Sequence, residues 1–109
     1  MDENKRTANI LEEASRITHG RRNEDYGSPL EDFTRTAKMW SAILGCDVHP
    51  TDVPKCMIAL KLSRQCHSAK RDNLVDICGY AHTIEMCEDA AAQAILGDHL
   101  TETFGDKGD

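Results

Sequence analysis

The chain has 109 residues, with 19 acidic against 13 basic side chains and a formal net charge of −6. That length holds one domain with a modest core, and the acidic balance argues against general nucleic-acid binding while leaving room for a local basic site. No apolar run approaches the roughly 20 residues that span a bilayer, and the opening MDENKRTANI is too polar for a signal peptide. A soluble, cytoplasmic protein without a membrane partner is expected.

Four stretches carry helical period, and none carries the two-residue alternation of a strand. The first runs from about Thr7 to His19, with Ile10, Leu11, Ala14 and Ile17 on one face and Gly20 as its stop. The segment GRRNEDYGSP follows as a polar connection. The second helix has the clearest start, SPLE: Ser28 caps, Pro29 takes the first turn and Glu31 completes a capping box. Leu30, Phe33, Ala37, Trp40 and Leu44 give it an apolar face before Gly45 ends it. A third helix opens near Thr51 or Asp52, with a proline tolerated in its first turn, and presents Val53, Cys56, Met57 and Leu60. The fourth, about Asp72 to Leu96, is expected to bury Leu74, Ile77, Cys78, Ala81 and Ile84.

The expected fold is therefore all-α: a four-helix, mostly antiparallel bundle over residues 1–97, with a flexible tail over 98–109. A core this poor in aromatics is thin, so completion by a second or further copy of the chain, as a dimer or higher homo-oligomer, is expected. The five cysteines form no CxxC pair and read as small buried hydrophobes. The spacings of Cys46 with His49 and of Cys66 with His67 fit no standard zinc pattern. No P-loop, dinucleotide fingerprint or nucleophile dyad stands out.

Four polar groups carry candidate chemistry. Asp72, Asp76 and Tyr80 are four apart on one helical face, and two carboxylates one turn apart suit a shared Mg²⁺; the alternative is capping and ion pairing. Lys61 and Arg64 stand at i and i+3 and face either phosphate or the aspartates of the next helix. Glu12 and Glu13 on the first helix add carboxylates or are simply solvated. In the connecting segment, Arg21 and Arg22 suit phosphate, Asp25 a sugar hydroxyl or metal, and Tyr26 a base. The alternative there is a plain turn.

In order and spacing, ILEEAS, RRNEDYGSPLEDF, MWSAILG, DV, LKLSR and DNLVDICGYA resemble a family of small uncharacterised phage and prophage proteins, over about Ile10 to Ala81. The DYG loop, the Lys-x-x-Arg helix and the acidic helix ending in D-x-x-x-Y are similar, more distantly, to phage nucleotide-modification-associated domains. Fainter again is a likeness to the all-α nucleoside triphosphate pyrophosphatases of the MazG and dimeric dUTPase group. Those enzymes hold Mg²⁺ with helix carboxylates in EExxE and ExxD motifs and cleave a nucleotide to its monophosphate and pyrophosphate.

That resemblance implies metal ligation by Glu12, Glu13, Asp72 and Asp76, with Glu13 and Asp76 as the catalytic carboxylates. Beside it, the reading of the residues themselves expects phosphate contacts from Arg21, Arg22, Lys61 and Arg64, and base or sugar contacts from Asp25, Tyr26 and Tyr80. Two positions depart from the pattern: Arg16 stands where the third acidic residue of the first motif belongs, and Asn73 where the glutamate of the second belongs. A phage-type nucleotide-binding protein, with Mg²⁺-dependent (d)NTP pyrophosphohydrolysis as its implied activity, is the leading expectation. The competing one is a non-catalytic helical protein that binds a host factor or sequesters a nucleotide signal.

Overall fold

A computed structural model describes the backbone of residues 8–103 and the side chains of residues 8–20 and 24–97. The described residues form five helices: α1 (Ile10–His19), α2 (Arg21–Tyr26), α3 (Pro29–Leu44), α4 (Asp52–His67) and α5 (Arg71–Thr103). The all-α expectation holds. The segment expected as a connection is itself the short helix α2, and α5 runs past Leu96 to Thr103.

Local signals set the ends of the helices. Asn9 accepts from the Glu12 amide at 2.9 Å, and the Glu12 carboxylate accepts from the Asn9 amide at 3.4 Å, a reciprocal capping box. Ser28 and Glu31 repeat that arrangement on α3 at 3.2 and 3.3 Å. Gly27 precedes this cap at φ +84° and Gly45 closes α3 at φ +71°, both in the left-handed region that a side chain disfavours. The loop between α3 and α4 is buckled by Ser41, whose hydroxyl donates to the Ala37 carbonyl at 2.8 Å and accepts from the Val48 amide at 2.9 Å.

Replacing Ser28 by alanine is expected to cost about 1 kcal/mol, read from the midpoint and slope of denaturant unfolding. The same cap has a pH signature. Donation from the Ser28 backbone amide, then from its hydroxyl, holds the Glu31 carboxyl below the usual glutamate range. The native chain therefore binds this proton less readily than the unfolded chain. The cap's contribution is complete above the unfolded pKa and is lost as pH falls through the lowered native value. Unfolding followed across the acid range should show that loss, and Ser28→Ala should reduce it.

α5 is the spine, and its 33 residues span about 50 Å at the helical rise. α4 packs antiparallel to it, with Gln65 meeting Asn73 and Lys61 meeting Asp76. α1 runs parallel to it, so that Glu13, Thr18 and His19 meet Arg71, Gly79 and His82 in the same order. Phe33, Ala37, Val53 and Cys87 form the buried centre, with Leu30, Trp40, Val48 and Tyr80 packed around it.

The buried row on α5 is not the expected one. Asn73, Val75, Thr83 and Cys87 are buried, while Leu74 and Ala81 are exposed and Ile77, Cys78 and Ile84 are only partly covered. The α1 face is turned likewise, burying Ala14 and Thr18 and leaving Leu11 and Ile17 exposed. Small side chains let the two helices approach closely, and the larger apolar groups are displaced from the contact. On α3 and α4, Leu44, Cys56 and Leu60 also face outward. Of the cysteines expected to be buried only Cys87 is; Cys78 is partly covered, and Cys46, Cys56 and Cys66 are exposed.

Candidate functional site

Two cavities meet at Tyr80. The first, about 100 Å³, lies between α1 and α5, lined by Ala14, Ile17, Thr18, Asp76, Gly79 and Tyr80 among others. Its polar edge is set by an ion pair: Lys61 Nζ, carried by α4, sits 2.8 Å from Asp76 Oδ2 on α5. The Lys61 side chain is only 16% exposed, so its charge is held against the bundle rather than loose in water.

The second cavity, about 280 Å³, opens between α2, α3, α4 and α5. Tyr26, Phe33, Trp40 and Tyr80 line it together, four of the chain's five aromatic residues. Asp32 and Thr36 supply polar edges. The volume is near the lower end of small-molecule sites, and the mixture of aromatic walls with few polar groups is typical of them. Arg35 Nη2 donates to the Tyr26 carbonyl at 2.7 Å, which ties the end of α2 to α3 and sets Tyr26 at the cavity mouth.

The other expected site residues are dispersed. Glu13 accepts from Arg71 Nη1 at 2.9 Å, and the same guanidinium donates to the Ala8 carbonyl at 3.1 Å, fixing the start of α1 to α5. Glu12 belongs to its own capping box. Asp72 is exposed in the first turn of α5, where the helix dipole favours an acid. Arg64 parts from Lys61 and lines a separate polar groove of about 340 Å³ with His67, Lys70 and Asn73. Asp25 is exposed on α2, and the side chains of Arg21 and Arg22 lie outside the described residues.

Among the described residues no group of three or more His, Cys, Asp or Glu side chains converges as a metal site. Glu13 and Asp76 each face a cation instead, at 2.9 and 2.8 Å. The carboxylates as folded therefore do not fit a resident Mg²⁺.

Several contributors were not apparent beforehand. Arg71 follows a plain loop and has no sequence signal; Trp40 reads as a core residue on the apolar face of α3. Asp32 and Arg35 read as ordinary solvated charges of a helix. His19 and His82 lie 63 residues apart, yet their rings face each other with centroids 4.9 Å apart.

The fold and site together define a small all-α bundle with an aromatic cavity beside a half-buried Lys–Asp pair. The chain belongs to the family described as Domain of unknown function (DUF6378), matched over residues 9–88. It is similar to the Gene 55 protein of Mycobacterium phage D29, 40% identical over 77 residues that cover 70% of this chain and 51% of that protein. It is equally similar to the Gene 55 protein of Mycobacterium phage L5, 40% identical over 78 residues covering 70% of this chain and 50% of the relative. The chain thus spans about half the length of these curated relatives. No solved structure matches it. The expected phage family is borne out by these matches. No described helix is long and apolar enough to cross a membrane.

Proposed function

We propose that this protein binds a nucleotide, with the base held in the aromatic cavity. The observation that carries the reading is the gathering of Tyr26, Phe33, Trp40 and Tyr80 around one opening, in a chain with almost no other aromatic residue. Aromatic faces stack any base, and Asp32 and Thr36 offer hydrogen bonds at its edge. Lys61 is the phosphate partner this reading supports, since it lies against Asp76 one turn from Tyr80. An arriving phosphate competes with Asp76 for that ammonium. Arg21 and Arg22, on the helix that carries Tyr26, are proposed as further phosphate contacts. Mg²⁺ takes part in this reading only as an ion carried in with the phosphates.

Binding is supported more directly than pyrophosphohydrolysis, because Glu13 and Asp76 are each paired with a cation. The test is incubation with a panel of (d)NTPs and Mg²⁺, with thermal unfolding and pyrophosphate both measured. Protection against unfolding with the nucleotides left intact is expected. Pyrophosphate release abolished by Asp76→Asn would establish the enzyme instead, and no effect of any nucleotide would sink both nucleotide readings.

We also propose that a second copy of the chain covers the outer face of α3. Met39 and Ile43, one turn apart, are 65% and 79% exposed. The radius of gyration is 17.8 Å against about 13 Å for a compact chain of this length, so the protomer is extended and leaves this face of α3 uncovered. Light scattering should give a dimer or larger, and Ile43→Glu should shift it to monomer. A monomeric wild-type chain at micromolar concentration would end this proposal.

A further inference from the structure

We infer that His19 and His82 form a two-imidazole clamp for a divalent transition metal, joining α1 to α5. His19 Nδ1 lies 3.0 Å from the Ser15 carbonyl, which can only accept, so that nitrogen carries the proton and Nε2 presents its lone pair. On His82, Nδ1 lies 3.7 Å from the Glu85 carboxylate, beyond hydrogen-bond reach but close enough for its charge to favour a proton at the same ring position. Both Nε2 atoms then face each other at 3.5 Å with their lone pairs converging.

That separation is long for an N–H···N hydrogen bond and close to what chelation requires. Two nitrogens bound at about 2.0–2.1 Å to a tetrahedral Zn²⁺ stand about 3.3–3.4 Å apart. Metal-bound histidines characteristically donate their second ring nitrogen to a carboxylate or backbone carbonyl, a role that the Ser15 carbonyl fills for His19. Imidazole pairs favour Zn²⁺, Ni²⁺ and Cu²⁺ over Mg²⁺. With two protein ligands, the remaining positions are left to water or to an outside ligand. The pair is carried by two helices distant in sequence, so a bound ion would also fasten the α1–α5 contact.

The full-length chain, without an affinity tag and with its exposed thiols alkylated, is stripped with chelator and titrated with Zn²⁺ and Cu²⁺. Metal is expected to raise Tm by several degrees. His19→Gln and His82→Gln should each weaken binding about tenfold or more and remove that gain, while His67→Gln at an exposed site should change nothing. Cu²⁺ electron paramagnetic resonance of the wild-type chain should show hyperfine coupling to two imidazole nitrogens, a readout that needs no variant to fold. Equal affinity in wild type and both variants, or a Cu²⁺ spectrum without coupling to two imidazoles, would overturn the clamp.

Discussion

Replacing Phe33 by alanine is expected to cost about 3–5 kcal/mol of folding stability, the largest effect of any single truncation in this chain. Phe33 is 3% exposed at the centre of a cluster whose other fully buried members, Ala37, Val53 and Cys87, are small. The neighbours cannot expand into the space it leaves, so the cavity penalty adds to the lost burial. Domains of this size have about 5–15 kcal/mol in total, and the loss brings the native state near its threshold. Leu44, exposed in the last turn of the same helix, is the comparison: its replacement by alanine should change stability by less than about 0.5 kcal/mol. Denaturant unfolding of both variants measures the difference, and a Phe33→Ala cost below about 1 kcal/mol would show that the core is organised elsewhere.

Tyr80→Ala is expected to weaken nucleotide binding about ten- to a hundredfold, since an aromatic platform contributes about 1–3 kcal/mol per stacked base. Tyr80 lines both cavities, so it is the residue on which the proposed base and phosphate contacts would converge. It also packs on the core, and the alanine variant will lose some stability as well. Binding measured well below the Tm of each variant separates the two effects, and Tyr80→Phe, which keeps the ring, isolates the part of the hydroxyl. Near-wild-type affinity in Tyr80→Phe with loss in Tyr80→Ala is the stacking result. Tyr26→Ala, at a more exposed position, should weaken binding with little change in stability.

The helices were legible where local chemistry fixes them. SPLE, with Gly45 at the far end, defined α3 because the cap, the proline and the left-handed stop are all short-range effects. Which face of α5 is buried was not legible. The periodic apolar stripe through Leu74 and Ile77 lies beside the contact, because the helices meet through small residues: Thr18 lies against Gly79, and Ala14 and Thr83 are buried beside them. α2 has no signature in the sequence, because a six-residue polar helix has no apolar period and its end is secured by Arg35 from the next helix.

The site was legible in part. The pairing of Lys61 with Asp76 follows from a short turn that folds α5 back on α4, and that adjacency was visible in the spacing. The separate fates of Glu13 and Arg64 were not, since each depends on a cation or groove supplied by a different element. Trp40 and Tyr26 come from neighbouring helices and converge only because α2 packs back on α3, a tertiary result with no local signature.

Trp40 offers the most direct test of the central claim, because the chain's single tryptophan lines the cavity proposed to take the base. Its fluorescence, excited at the red edge where nucleotides absorb little, can be followed while purine and pyrimidine nucleoside triphosphates are added. A saturable change for at least one nucleotide, displaced to higher concentration in Tyr80→Ala, is the predicted result. An emission spectrum unaltered by every nucleotide, in a chain whose circular dichroism shows it folded, would contradict it.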